Sequence, residues 1–198
     1  QPLVQTFKDV ISDEVFTVAV NHFKSKGSCA SATGNNQDNS DGQGCWNELR
    51  TQAANALISW LATKPTGTQD SDVLVIGDLN AYGKEDPINA FTDNGYRNLV
   101  AKYLGHSAYS YSFGGQLGYL DHALANEQAL AKVVDVTEWH INADEPILLD
   151  YNVENKAPSN VSNLYAADAY RMSDHDPVLI ALQFDAASVP GDWDGDGD

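Results

Sequence analysis

Positive charge is scarce in this sequence: 11 lysines and arginines stand against 28 aspartates and glutamates in 198 residues, a formal net charge of -17 at pH 7. A basic face broad enough to hold a polyanion by charge alone is therefore not to be assumed, which counts against a simple DNA-binding module. The same scarcity is less damaging for a protein that grips phosphate through metal ions, because the ion brings the local positive charge with it. Long apolar runs are also missing. No stretch approaches the roughly 18 to 20 apolar residues that a membrane-spanning helix needs, and Gln1 opens no signal peptide. A soluble chain whose natural start lies elsewhere is the expectation. There is no internal repeat. Cysteine is nearly absent: Cys29 and Cys45 are the only two, and they bracket a polar loop rich in Gly, Ser, Asn and Asp. Closing such a loop of about 15 residues by a disulfide would stabilise by roughly 3 kcal/mol. Two free thiols and a metal pair are the alternatives; the absence of further cysteines and the loop's lack of a core favour the disulfide, and with it an exported protein.

Apolar residues make up 42% of the chain and aromatics 10%, enough for one substantial core and too much for disorder. Val15 to Val20 is almost wholly apolar and ends at Asn21-His22, which reads as a strand buried on both faces. Leu49, Ala53, Ala56, Leu57, Trp60 and Leu61 fall on one side of a 3.6-residue period, so Asn47 to Ala62 reads as an amphipathic helix. Val73 to Ile76 is a second buried strand. A helix is expected after Asp86, with Pro87 in its first turn and a stop at Asn94-Gly95. Strands follow at Tyr109 to Phe113, Tyr119 to Ala125, Val133 to Trp139 and Val178 to Phe184, and Phe7 to Val15 reads as a hairpin. Strand and helix alternate early and strands predominate later, which predicts a mixed sheet in an α/β layered architecture.

The tail departs from this pattern. Residues 188–198 open on a linker-like Ser-Val-Pro-Gly, after which Asp192, Asp194 and Asp196 alternate, with glycine at the sixth position of the run, a spacing that opens many calcium loops. A solvated acidic tail is the plainer reading.

The chemistry concentrates in two motifs. Gly77-Asp78-Leu79-Asn80 and Ser173-Asp174-His175-Asp176-Pro177-Val178 each set a carboxylate beside a second polar group at the mouth of an apolar strand. Phosphodiester hydrolysis needs charge neutralised on the phosphoryl oxygens, a water placed in line and a proton delivered to the leaving oxygen. Carboxylates that hold a metal, an amide that donates to phosphate and histidines that move protons near neutral pH meet those needs. His22 ends a buried strand, and Asp121 lies inside a strand where a charge needs a partner. His122 alternates away from Asp121 and reads as core. Lys24, Lys26 and Arg171 flank the motifs and are candidates for phosphate contact, with a solvated surface charge as the alternative. For His140 and Asp144 the residues alone offer no role.

Taken in order, Asn21-His22-Phe23, Gly77-Asp78-Leu79-Asn80, Leu120-Asp121-His122 and Ser173-Asp174-His175-Asp176-Pro177-Val178 resemble the second half of the endonuclease/exonuclease/phosphatase superfamily. Asn21 to Gly27 and Glu138 to Pro146 resemble its bacterial extracellular nucleases. The resemblance implies that residues 1–187 are the C-terminal half of such a domain, about half of a four-layer α/β/β/α sandwich, with the N-terminal half and its metal-binding glutamate absent from this chain. It implies His22 and His175 as the two catalytic histidines and Asp121 as the carboxylate that orients His175. Asp78 would activate water and approach the metal, Asn80 would donate to phosphate, and Asp174 would lie at the metal edge. The metal would be Mg²⁺, Mn²⁺ or Ca²⁺. The implied activity is that of a secreted nuclease on extracellular DNA, or RNA. Hydrolysis of a small or lipid phosphoester and a calcium-dependent surface module are the rival readings.

Overall fold

The computed structural model describes residues 2–154 and 156–185, so the acidic run at Asp192, Asp194 and Asp196 lies outside the described residues. The chain opens with β1 (Leu3–Lys8) and β2 (Val15–Val20), joined by a turn in which the Asp9 carboxylate accepts the Ser12 amide and hydroxyl, each at 2.7 Å. Helix α1 (Asn47–Leu61) carries the chain over to β3 (Val73–Asp78), followed by α2 (Asp86–Asp93), the two-residue β4 (Arg97–Asn98) and α3 (Leu99–Tyr103). A small hairpin, β5 (Tyr111–Phe113) and β6 (Gln116–Gly118), precedes β7 (Asp121–Ala125), α4 (Glu127–Leu130), β8 (Val133–Glu138), α5 (Pro158–Asn163) and β9 (Val178–Leu182).

The main sheet is five-stranded in the order β1-β2-β3-β7-β4. Only β2 and β3 run parallel, and α1 is their crossover; the other neighbours are antiparallel, as are β5 with β6 and β8 with β9. The mixed α/β architecture expected from the sequence is present. Both faces of the sheet carry a core. Ala19, Val75 and Leu124 pack under Ala54, Leu57 and Leu61 of α1 and Ile88 and Phe91 of α2. On the other face, Leu74, Ala123 and Ala125 meet Leu99 and Val100 of α3 and Val133 and Val136 of β8, with Val178 and Ile180 of β9 alongside.

Two expectations need correcting. Strand β2 is not buried on both faces: Thr17 and Ala19 are buried, while Val20 is 43% exposed. Nor is the packed face of α1 centred on its apolar stripe. Arg50, Ala54, Leu57 and Leu61 are the buried positions, whereas Leu49, Ala53, Ala56 and Trp60 line an open groove shared with His22 and Phe23. The helix is rotated because the fully buried Arg50 guanidinium reaches the carbonyls of Cys45, Lys24 and Gln43, at 3.0, 3.2 and 3.3 Å. An apolar period cannot register a buried arginine held by loop carbonyls and by the buried Glu85 carboxylate 4.0 Å away.

Candidate active site

Strand pairing builds the site first. Asp78 ends β3 directly across from Asp121, which begins β7, so the two carboxylates stand on neighbouring strands at one end of the sheet. Gly77 is required there: it has φ +118°, and a Cβ would lie 2.1 Å from the Asn21 carbonyl oxygen. The chain then turns through Asn80, whose φ of 49° is in the left-handed region that asparagine tolerates. That turn aims Asn80 back at Asp78, giving bonds from its backbone N–H (2.7 Å) and its Nδ2 (2.9 Å) to the two carboxylate oxygens. Nδ2 also donates to the Phe23 carbonyl at 3.2 Å, so in this geometry both amide protons serve the protein. Burial raises the Asp78 pKa above the ordinary carboxylate value; the Asn80 N–H opposes the shift and the nearby Asp121 adds to it.

The second motif supplies the histidine. His175 Nδ1 lies 2.6 Å from Asp121 Oδ2, a contact that engages Nδ1 and not Nε2. Burial disfavours the imidazolium, yet the hydrogen bond and charge of Asp121, with Asp78 and Asp174 nearby, outweigh it and raise the His175 pKa. Ser110 completes the arrangement. Its hydroxyl donates to Asp121 Oδ2 at 2.6 Å and accepts the backbone N–H groups of Leu120 and Asp121. Its carbonyl accepts the Asp176 N–H at 2.8 Å. Asp176 is buried, and its carboxylate accepts the N–H groups of Asn142 and Ala143 and pairs with His140 Nδ1 at 2.8 Å. His140 stacks on Tyr109 with centroids 3.9 Å apart, and the Tyr109 hydroxyl donates to Asp144. This gives His140 and Asp144 a role that the sequence did not: they anchor the segment that presents His175. Burial and the bond to Asp144 push the Tyr109 pKa up to about 12, so it stays a donor.

His22 approaches from the other side, with Nε2 3.4 Å from Asp78 Oδ2 and its side chain 76% exposed. His22, Asp78, Asn80, Asp121, Asp174 and His175 therefore line one cleft of about 770 Å³. The flanking cations are placed differently. Lys24 donates to the Ser25 and Gly27 carbonyls and lies over the Trp46 ring. Arg171 is buried, with Nη1 2.8 Å from the Asn142 carbonyl, and neither residue is among those lining the cleft. Lys26 does line it. Cys29 and Cys45 form a disulfide, with Cα atoms 5.6 Å apart, that ties the Ser25–Gly27 rim to the start of α1.

The donor set fits a hard divalent cation. Asp78, Asp121 and His175 each place one ligand atom within 4.8 Å of the others. Asp121 Oδ2 already accepts from Ser110 and His175, whereas each Asp78 oxygen accepts one bond from Asn80 and keeps a further lone pair, so a cation can reach Asp78 and the exposed Asp174. Ser110 and Asp176 are the contributors that sequence reasoning missed. An acid placed between His175 and Pro177 was a visible signal for Asp176; nothing marked Ser110.

The family profile described as "Endonuclease/Exonuclease/phosphatase family" matches residues 7–175. A comparison with curated protein sequences gives no match. Among solved structures, the chain is similar to a mannosyl-6-phosphatase of Bacteroides thetaiotaomicron, at 14% identity and a TM-score of 0.55, over 92% of this chain and 57% of that one. It is also similar to beta toxin of Staphylococcus aureus, at 15% identity and a TM-score of 0.54 over 92% and 57%. An endonuclease/exonuclease/phosphatase protein of Bacteroides vulgatus gives 18% and 0.52 over 92% and 54%. At these identities the likeness shows the fold, and the chain spans little more than half the length of each of these structures.

Proposed function

This chain belongs to the endonuclease/exonuclease/phosphatase family, and from that premise we propose that it is part of a secreted, metal-dependent nuclease acting on DNA outside the cell, with RNA as a second substrate. Members of the family are hydrolases of phosphoesters that use divalent metals. The observation that carries the reading is the His175–Asp121 hydrogen bond of 2.6 Å set beside Asp78 in an open cleft. A carboxylate that fixes one imidazole nitrogen leaves the other to move a proton to or from a reacting oxygen. His22, exposed on the opposite side of Asp78, is the second proton carrier. Asp78 orients the attacking water. A Mg²⁺, Mn²⁺ or Ca²⁺ ion at Asp78 and Asp174 would supply positive charge to the phosphoryl oxygens. The disulfide between Cys29 and Cys45 supports the extracellular assignment.

We further propose that another segment of the same domain covers part of this chain. Val20, Ile76, Leu179 and Leu182 line an apolar groove between the main sheet and β9, and soluble proteins rarely leave such grooves open. The fraction of the related structures that the chain spans supports this. A second reading, hydrolysis of a small or lipid phosphoester, is favoured by the charge of the cleft: Lys26 is its sole lysine or arginine among the described residues, and Glu85 holds its ammonium with both oxygens at 2.6 Å.

The test is cleavage of single-stranded DNA and of supercoiled plasmid by the full-length protein containing this chain, in Mg²⁺, Mn²⁺ or Ca²⁺, with and without His175→Ala. Cleavage of at least one of them that disappears with the substitution is expected. Both DNAs left intact, together with hydrolysis of a small phosphodiester, would replace the nuclease reading with the second one.

A further inference from the structure

The cleft has an aromatic wall that the hydrolytic chemistry does not use. Hairpin β5–β6 turns through Gly114 and Gly115, both at positive φ, and its register pairs Tyr111 with Gly118 and Phe113 with Gln116. Tyr111 and Phe113, two residues apart, therefore share one face of the hairpin, while Leu117, opposite Ser112, shares the other. The shared face is the cleft face. The rings of Phe113 and Tyr111 lie 6.4 Å apart at 16°, and Tyr111 lies 4.5 Å from the His175 ring at 30°. Phe113 is 70% exposed at the outer end of this row. A third ring, Tyr82, is seated against Gly118, where an added Cβ would come within 2.7 Å of its Cε1. A row of aromatic faces thus runs from solvent to the reacting histidine.

The charges in the cleft point the same way. The single lysine is consumed by Glu85 and the Gln43 carbonyl, and the acids Asp78, Asp121 and Asp174 surround the centre. Charge therefore contributes little to holding the sugar-phosphate strand beyond the scissile phosphate, whereas base–aromatic stacking is available and tolerates any sequence. A base inside a duplex already has both faces covered, and taking it out costs unstacking and unpairing energy.

We propose that Tyr111 and Phe113 form a base-stacking subsite beside the scissile phosphate, and that the substrate class is single-stranded nucleic acid or a frayed strand end. This rests on the nuclease reading for the identity of the scissile bond, but the stacking itself does not require turnover.

The test is binding, in Mg²⁺, of a hexathymidylate with phosphorothioate linkages and of a hexamer of abasic units with the same linkages, by calorimetry on the full-length protein. The base-bearing oligomer should bind about tenfold more tightly or better, the size of a stacked base. Phe113→Ala should erase that preference without changing affinity for the abasic oligomer, and Phe113→Trp should restore it. A blunt duplex of equal phosphate count should bind like the abasic strand. Equal affinity of the wild type for both hexamers, or an equal loss on both in Phe113→Ala, overturns the subsite. Cleavage of unmodified oligomers is scored separately: base-dependent binding without cleavage upholds the subsite and removes the nuclease reading, while cleavage indifferent to bases does the reverse.

Discussion

Strand β7 places two ionisable residues side by side and sends them to opposite faces of the sheet. Asp121 enters the cleft, where it meets the His175 imidazole and the Ser110 hydroxyl. His122 enters the core, where its Nε2 donates to the Ala81 carbonyl at 2.7 Å and its Nδ1 has no partner. Both His122 and His175 lose solvent, yet their pKa values move apart. Burial drives His122 down to about 4, whereas the Asp121 carboxylate raises His175 despite burial. Removal from water by itself keeps a histidine neutral, whereas the same removal beside a carboxylate leaves the imidazole able to take up a proton.

The sharpest way to break the comparison is to remove each ring in turn. His175→Ala should lower kcat by about 10³-fold, within the range general acid–base groups contribute, while leaving the unfolding transition nearly in place. His122→Ala should do the opposite, leaving a void beside Ala81 and an unpaired carbonyl, with a marked loss of stability. Parallel hydrolysis and thermal-unfolding measurements decide. Equal effects of the two substitutions on both readouts would erase the distinction between the faces.

Much of this arrangement could be read from the residue order, because strand ends followed by polar motifs have few other uses. The alternation that sends His122 away from Asp121 follows from the period-two geometry of any strand, and the structure places it so. Helix α2 begins at Asp86 with Pro87 in its first turn, as the sequence indicates. What could not be read depends on contacts between distant residues. The rotation of α1 is set by Arg50 finding carbonyls in the loop before it. Ser110 meets Asp121 only because the β5–β6 hairpin folds the chain back on itself. The anchoring of the His175 segment likewise depends on Asp176 reaching the Asn142 and Ala143 amides, some 33 residues away. The Lys26–Glu85 pair, 59 residues apart, silences the one lysine that lines the cleft, and only the folded chain brings its partners together.

Acid titration probes the core side of the comparison. His122 is neutral in the folded protein down to about pH 4, while in the unfolded chain it takes up a proton near its ordinary value of 6.5. Between those values the unfolded state binds the extra proton, so stability rises with pH across that window. The contribution is complete above pH 6.5 and is lost as pH falls toward 4, in all about 3 kcal/mol. Denaturant unfolding at pH 7, 5.5 and 4 should show that decline. His122→Gln, which keeps a donor for the Ala81 carbonyl but does not titrate, should flatten it, even if its plateau is lower. A slope as steep in the Gln variant as in the wild type would assign the acid sensitivity to other groups.

The smallest expected effect concerns the cleft side, and it separates holding the proposed proton carrier from being one. Ser110 touches none of the reacting atoms; it fixes the Asp121 oxygen that His175 uses, and it is itself fixed by two backbone N–H groups of β7 and the residue before it. Ser110→Ala removes one of the two donors on that oxygen and leaves Asp121 free to rotate away from His175. Such outer partners typically govern activity by about 10-fold or somewhat more. The loss should fall on kcat with KM unchanged, since substrate affinity does not pass through this contact. Ser110→Thr, which retains the hydroxyl, should recover most of the rate, while a purely structural role would make the bulkier threonine no better than alanine. A KM effect, or failure of threonine to rescue in a variant that unfolds at the wild-type temperature, would show that Asp121 keeps its orientation without help, and that the carboxylate and its imidazole position each other.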